Sequence, residues 1–116
     1  MTSLKGERVA SDMLKELGLI FLEEVKDKDL KDVTLTACDV TNDLSFAKVY
    51  FITKDDKDKK YTERELNKAS SYFRTMLAER LDIRHTPEIK FIYDDSIAYG
   101  KRIEDIIDKI HEKEAQ

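Results

Sequence analysis

The residues of this 116-residue chain that could form a cysteine–histidine catalytic pair are Cys38, His85 and His111. Nucleophilic catalysis requires a nucleophile placed beside a base. Cys38 falls in the middle of an alternating, strand-like segment, whereas His85 falls in a connection and His111 in a terminal helix. Nothing in the sequence places either histidine beside the thiol, so we expect a protein that is not an enzyme.

The sequence also lacks the residue patterns that are typical of metal-binding and phosphate-binding sites. A zinc site needs several cysteine and histidine ligands at short spacing, and one cysteine with two distant histidines does not provide it. The acidic residues Asp55, Asp56 and Asp58 lack the glycine and the closing glutamate of a calcium-binding loop. The three glycines are far apart, which excludes a glycine-rich phosphate loop. We therefore expect no metal and no cofactor, and a function based on binding.

A row of cationic and small polar side chains follows one side of the segment 62–81. At 3.6 residues per turn, the positions opposite its apolar side are Arg64, Asn67, Ser71, Arg74 and Ala78. Cations form charge-assisted hydrogen bonds with phosphate, and small residues let another backbone come close. The row is either a contact surface for a nucleic-acid backbone or an ordinary solvated helix face, and the spacing alone leaves both interpretations open.

Composition limits the classes of protein that fit. Hydrophobic residues make up 41% and charged residues 40% of the chain, and the length predicts a single domain, 1–116. The net charge of −4 argues against indiscriminate nucleic-acid binding, although residues 63–90 carry six basic and five acidic groups. The single cysteine, the absence of an apolar run long enough to span a bilayer and the lack of a signal-peptide pattern predict a cytoplasmic protein without a membrane segment.

Apolar periodicity predicts the elements that position these residues. Apolar residues at spacings of three to five predict a helix over 4–25. Alternation predicts strands over 33–40, with Val33, Leu35 and Ala37 on one face, and over 44–53. Because only a short turn separates the two strands, they form an antiparallel hairpin. The charge run 54–60 is expected to be an exposed loop.

The second half of the chain begins with a predicted capping box, in which Thr62 precedes Glu65 by three residues. It opens a helix whose two consecutive serines, Ser70 and Ser71, invite a bend. Pro87 favours extended geometry before a strand at 88–94. Asp95 or Ser96 could cap a last helix, and residues 112–116 are expected to fray. The apolar side of that last helix is Ile97, Ile103, Ile106, Ile107 and Ile110.

These elements predict an α+β fold in the order α-β-β-α(kink)α-β-α, with helices packed on one face of a three-stranded mixed sheet. The connection between the second and third strands passes through helix, so those two strands can run parallel by a right-handed crossover.

The sequence resembles the ribosome-binding factor A family, bacterial ribosome-assembly proteins with a type II KH-like fold. The resemblance covers nearly the whole chain. Its most specific block is DVTNDLSFAKVYF, 39–51, which is similar to the family's hairpin signature. A second block is RHTPEIKFIYDDS, 84–96, and Arg8-Val9 is similar to the opening of the family's first helix. Between the two blocks, KASSYFRTMLAERL is similar to the family's helix–kink–helix.

The resemblance implies where the helix bends. KH domains place a Gly-x-x-Gly loop between two helices to clamp a nucleic-acid backbone, and this family replaces the loop with an Ala-x-Gly kink. The matching residues here are Ala69, Ser70 and Ser71, so Ser71 stands where the family has glycine. We expect Ser70 to shape the bend and Ser71 to face the RNA.

The resemblance also implies a function. The chain would act in the cytoplasm as a monomeric factor for ribosome biogenesis and rRNA processing. It would bind the small ribosomal subunit late in assembly and contact rRNA near the subunit neck. An assembly GTPase would aid its release. The residues expected at the RNA are Arg64, Lys68, Ser70, Ser71 and Arg74, with Arg80, Arg84 and Lys90 as a second group.

One alternative interpretation keeps the fold and changes the partner. The chain would then be a KH-like protein-interaction module without direct RNA contact. It would use either the acidic last helix or the open face of the sheet, which carries Thr34, Thr36, Lys48, Tyr50 and Ile52. Binding that ignores salt and nuclease treatment would favour this alternative.

Overall fold

The computed structural model describes residues 4–25, 30, 32–54 and 59–114, apart from a few side chains near the ends of the first and last helices. Its elements, in chain order, are α1 (Leu4–Glu23), β1 (Thr34–Val40), β2 (Phe46–Ile52), α2 (Lys59–Lys68), α3 (Ser70–Arg80), β3 (Glu88–Tyr93) and α4 (Ser96–Glu114). This order confirms the predicted α+β arrangement.

The three strands form one mixed sheet in the order β1-β2-β3. β1 and β2 are antiparallel, as the hairpin prediction requires, and β2 and β3 are parallel. Ala47, Val49 and Phe51 alternate along β2 and are buried. They point to the face that α1, α2 and α3 cover. The residues between them, such as Lys48 and Tyr50, therefore lie on the opposite, open face of the sheet.

A bulge in β1 overturns the predicted faces of that strand. The pairing register with β2 shifts between Leu35 and Ala37. At this point β1 contains one residue more than the opposing segment of β2. Leu35, Cys38 and Val40 consequently contact the core together, whereas simple alternation grouped Leu35 with Ala37. Because alternation assumes a regular strand, it could not place Cys38 correctly.

An aromatic cluster joins the helices to the sheet. Phe73 of α3 stacks on Phe21 of α1 with ring centroids 4.9 Å apart, and it meets Phe91 of β3 edge-on at 5.4 Å. Phe73 and Phe91 are almost fully buried. Edge-on and stacked aromatic pairs stabilise a fold beyond the contribution of the area that they bury. This cluster therefore fixes the position of α3 against β3, including the position of the first residues of α3.

The boundaries of α2 differ from the prediction. The helix begins at Lys59, within the charge run that was expected to be a loop, and Thr62 is buried inside it. Thr62 is therefore not the N-cap. Its side chain takes a core position because α2 packs against the sheet. Residues 55–58 of the predicted loop lie outside the described residues.

The last helix departs most from expectation. It continues to Glu114, and residues 115–116 lie outside the described residues, so the expectation that residues 112–116 fray stays a prediction. Its isoleucines form the expected apolar side but are not buried. Ile103 is 39%, Ile106 49%, Ile107 46% and Ile110 50% exposed, whereas the side chain of Ile97 lies outside the described residues. Among the described helices, none is long and apolar enough to cross a membrane.

Candidate nucleic-acid interface

The predicted kink lies at Ala69. α2 ends at Lys68 and α3 begins at Ser70, and Ala69 between them has φ −91° and ψ 7°. Ala69 is hydrogen-bonded to both helices. Its N–H donates to the Glu65 carbonyl of α2 at 3.2 Å, and its carbonyl accepts from the Phe73 N–H of α3 at 3.1 Å. The result is a bend of two consecutive helices instead of a loop.

The two serines of the bend have different positions. Ser70 is half-buried, and its hydroxyl donates to the Ile89 carbonyl of β3 at 2.7 Å. Ser71 is exposed, and its carbonyl accepts from the Thr75 hydroxyl at 2.9 Å. Ser70 therefore attaches the bend to the sheet by a tertiary hydrogen bond. The Ser70 hydroxyl faces β3, and Ser71 is the serine that faces solvent.

Replacing Ser70 tests this attachment. Ser70→Ala is expected to lower the free energy of unfolding by about 1 kcal/mol, because the Ile89 carbonyl loses its side-chain donor. Ser71→Ala is the matched control and should stay within about 0.5 kcal/mol of the wild type. Both variants gain the same helix propensity, so the difference between them in urea denaturation isolates the hydrogen bond. Equal stabilities would contradict the attachment.

Asn67 does not lie on the predicted cationic row. Its side-chain amide donates to the carbonyls of Glu63 at 2.9 Å and Phe91 at 3.0 Å, and its carbonyl oxygen accepts from the Phe91 N–H at 2.8 Å. The side chain thus replaces a neighbouring strand at the outer edge of β3. The helical spacing that placed Asn67 opposite the core could not reveal this, because the sheet edge also lies on that side of α2.

Three of the four cations of α2 lie around a depression of about 620 Å³ lined by Lys60, Glu63, Arg64, Asn67 and Lys68. Lys60, Arg64 and Lys68 are four residues apart and exposed. Lys68 also pairs with Glu65 at 3.2 Å. Charge patterning did not indicate Lys60 as a site residue, because the charge run 54–60 favoured a loop. Since α2 begins at Lys59, Lys60 lies one helical turn before Arg64.

Arg74 of α3 contacts the end of the connection to β3 and the first residue of that strand. Its Nε donates to the Thr86 carbonyl at 3.0 Å, and its guanidinium lies 3.9 Å from the Glu88 carboxylate. Its side chain is 47% exposed, so part of the guanidinium remains available to a ligand. We name the exposed residues Lys60, Arg64, Lys68, Ser71 and Arg74 the cationic surface.

Arg80 does not belong to this surface. Its guanidinium lies 3.6 Å from Glu16, 3.3 Å from Glu23 and 3.8 Å from Glu24. The hydrogen bond with Glu23, with smaller contributions from Glu16, raises the pKa of Arg80. The structure turns Arg80 away from the cations of α2 and toward acidic residues within and just beyond α1, so these ion pairs disfavour an RNA contact of Arg80, which stays a prediction.

The remaining cations of the second group lie elsewhere. Arg84 lines a separate depression of about 340 Å³ that also includes Lys5, Asp43 and His85. Lys90 is exposed and pairs in register with Lys48 on the open face of the sheet. Neither residue lines the depression of α2, and neither lies on α2 or α3, the two helices that carry the cationic surface.

Cys38 has the environment of a structural thiol. Burial, with a smaller contribution from Asp39, raises the pKa of the Cys38 thiol from 9.0 to about 12. The thiolate is the nucleophilic form of cysteine, and this environment suppresses it at neutral pH. Among the residues that the structure describes, no group of three or more histidine, cysteine, aspartate or glutamate side chains is placed to hold a metal ion.

The raised pKa of the Cys38 thiol has a measurable consequence. At pH 8 the native chain should react with Ellman's reagent about 1000-fold more slowly than the chain unfolded in urea, since each unit of raised pKa removes about nine-tenths of the thiolate. The free energy of unfolding should also fall as the pH rises above 9.0, because the unfolded chain then releases a proton that the folded chain retains up to about 12. A native thiol as reactive as the unfolded one would contradict the burial.

Comparison with known proteins gives one consistent answer. Residues 5–107 match the family model of ribosome-binding factor A. The ribosome-binding factor A of Staphylococcus carnosus is 40% identical over 115 residues, which cover 98% of this chain and 100% of the relative. That of Halothermothrix orenii is 38% identical and covers 98% of this chain and 94% of the relative.

Solved structures agree in fold. The crystal structure of ribosome-binding factor A from Thermus thermophilus superposes with a TM-score of 0.68 over 76% of this chain and 94% of that chain, at 20% identity. The solution structure of a Thermotoga maritima protein described as a putative ribosome binding factor A has a TM-score of 0.55, 28% identity, and coverage of 77% and 82%. A Thermus thermophilus homology model fitted into a cryo-electron-microscopy map of the 30S complex of that factor has a TM-score of 0.55, 23% identity, and coverage of 72% and 93%. The family match over most of the chain, the two sequence relatives and the shared type II KH-like fold lead to one conclusion: this chain belongs to the ribosome-binding factor A family.

Proposed function

We propose that this chain binds the small ribosomal subunit in the bacterial cytoplasm and assists late rRNA maturation by contacting rRNA near the subunit neck. The observation that carries the proposal is the bend at Ala69, which presents an exposed serine between the cations of α2 and Arg74 of α3. The Thermus thermophilus factor fitted into a map of its 30S complex supplies the partner by family relationship.

The chemistry of the cationic surface supports an RNA backbone as the ligand. Lys60, Arg64 and Lys68 follow one another at intervals of one helical turn, so their charges line one side of α2 at about 6 Å intervals. Ser71 adds a small hydroxyl-bearing residue beside them, where a backbone can approach closely. Phosphate contacts of this kind position a protein on RNA without reading its sequence.

The charge of the whole chain limits how the RNA contact works. With a net charge of −4, the protein neutralises few phosphates, so its affinity for isolated RNA should be modest and sensitive to salt. A folded ribosomal surface adds shape and protein contacts. The factor would therefore act by binding and stabilising a correctly folded rRNA region. The family resemblance, and not this charge, motivates two further parts of the proposal: the factor acts as a monomer, and an assembly GTPase promotes its release.

Sedimentation tests the proposal. A tagged chain should comigrate with free small subunits on a sucrose gradient and be depleted from whole ribosomes, because an assembly factor leaves before translation begins. Comigration with neither particle would overturn the proposal. Comigration with small subunits that persists unchanged at high salt would instead favour a protein-interaction module without direct RNA contact, since phosphate contacts weaken with salt.

A further inference from the structure

The two edges of the sheet are treated differently by the rest of the chain. At the outer edge of β3, side chains of α2 and of the start of α3 take the place of a neighbouring strand. The side chains are Ser70, Asn67 and Glu63, which bond to the backbones of Ile89, Phe91 and Tyr93 respectively. The outer edge of β3 is therefore covered, and another strand cannot pair with it.

The outer edge of β1 has no such cover from the described residues. The Phe51 carbonyl accepts from the Asp94 N–H at 2.7 Å, so Phe51 and, two residues earlier, Val49 direct their backbone groups to β3. Leu35 and Cys38 lie opposite these two residues and therefore point their own N–H and carbonyl groups away from the sheet. Within the described chain these groups form no hydrogen bond. A free strand edge of this kind is a template for pairing with an extended chain, and the bulge keeps it short.

A groove runs beside this edge, between β1 and one side of α1. Its first part is a depression of about 340 Å³ lined by Glu7, Ala10, Ser11, Leu14, Cys38 and Asp39. Its second part is a depression of about 380 Å³ lined by Gly18, Phe21, Leu22, Val25 and Val33. The α1 residues of each part follow the spacing i, i+3, i+4 and i+7, so both parts lie on one continuous side of the helix. From residue 7 to residue 25 this side is about 27 Å long, which an extended peptide of about eight residues spans.

The two parts of the groove differ in chemistry. The first part carries the carboxylates of Glu7 and Asp39, and neither forms an ion pair within the described chain. The second part is apolar and includes Leu22, which is 82% exposed. No lysine or arginine is among the described residues that line either part. The groove therefore complements a chain with a cationic side chain at one end and apolar side chains at the other, whereas the carboxylates repel the phosphates of RNA.

We propose that an extended, lysine- or arginine-bearing segment of a small-subunit protein adds to the free edge of β1 as a fourth strand and fills the groove beside α1. This inference rests on the proposed function. In strand addition the main-chain hydrogen bonds supply affinity, and pockets beside the edge select the side chains. Proteins that bind nucleic acid commonly carry basic arms that can supply such a segment. Because β1 and β3 are opposite edges of the sheet, the segment and the RNA at the cationic surface can be bound together.

Site-specific photo-crosslinking tests this inference. Benzoylphenylalanine is placed at Ser11, which lines the groove. The matched control is Asp12, which is exposed and turned about 100° from Ser11 around α1. Each chain is bound to purified small subunits and irradiated. We expect Ser11 to give a nuclease-resistant, protease-sensitive adduct that mass spectrometry maps to a lysine- or arginine-bearing segment of a subunit protein, and Asp12 to give several-fold less of it.

The other outcomes of this experiment separate the two proposals. An adduct with RNA, with a second copy, within the same chain or with a segment that lacks lysine and arginine overturns the inference and leaves the proposed function standing. The same holds for no adduct from a Ser11 variant that sediments with small subunits. If the unsubstituted chain does not sediment with small subunits, both proposals are overturned.

A steric block gives a second readout. Gly18 is exposed in the groove, and a Cβ added there meets no atom within 4 Å. Gly18→Phe fills the second part of the groove and should weaken small-subunit binding about tenfold, as the loss of one central interface contact does. Gly18→Ala is the matched control: it also raises helix propensity but leaves the groove open, so its affinity should stay within about twofold of the wild type. Neither variant should unfold below the wild-type temperature. Equal affinities of the two variants would overturn the inference.

Discussion

Reversing two charges of the cationic surface should lower the affinity for the small ribosomal subunit about 100-fold. The variant is Arg64→Glu with Lys68→Glu, and the magnitude assumes that each cation forms a charge-assisted hydrogen bond worth roughly 1.5 kcal/mol or more. Both side chains are exposed on α2, so folding should be unaffected. Equilibrium binding of the labelled chain to purified small subunits at physiological salt measures the change.

The chain offers a closely matched control on a different helix. Arg8 and Lys15 are exposed on α1, and Arg8→Glu with Lys15→Glu produces the same change of net charge with the same residue types. Its affinity should fall no more than about threefold, because long-range repulsion between exposed charges is screened at physiological salt. If the two double variants lose affinity equally, net charge and not the cationic surface determines binding.

Removing the amide of Asn67 is expected to have the largest effect on stability. Asn67→Ala should lower the free energy of unfolding by about 2–4 kcal/mol, because the Phe91 N–H and carbonyl both lose their partner at a partly buried sheet edge. The same loss should loosen α2 against β3, so small-subunit binding should weaken even though Asn67 makes no RNA contact in this account. Urea denaturation monitored by circular dichroism gives the stability.

A neighbouring substitution separates this effect from general helix damage. Arg64→Ala lies on the same helix and is exposed, so its free energy of unfolding should stay within about 0.5 kcal/mol of the wild type. A change below 1 kcal/mol for Asn67→Ala would contradict the structural role of the amide and return Asn67 to the solvent-facing row that its spacing predicted.

The sequence predicted the parts of the fold that depend on regular periodicity. Ala47, Val49 and Phe51 alternate without interruption, and the structure buries all three. Alternation failed in β1 because the bulge between Leu35 and Ala37 changes which residues share a face, and no residue type in that segment announces a bulge. Periodicity also cannot tell whether an apolar stripe has a partner, which is why the exposed isoleucines of α4 required a structure.

The candidate site was predictable in its charges and unpredictable in its tertiary contacts. Helical spacing placed Arg64 and Ser71 on the exposed side, and the structure agrees. It also placed Asn67 there, whereas the amide pairs with β3. The contacts of Arg80 depend on three glutamates more than 50 residues away in the chain, and a single sequence does not report such distances.

A photo-crosslink from the bend tests the central claim most directly. Benzoylphenylalanine at Ser71, on a chain bound to purified small subunits, should give an adduct with small-subunit rRNA that nuclease removes, because Ser71 is exposed beside the cations of α2. Primer extension would then locate the crosslinked nucleotides, which we expect near the subunit neck. An adduct with protein alone, or none from a chain that sediments with the subunits, would contradict direct RNA contact by the bend at Ala69.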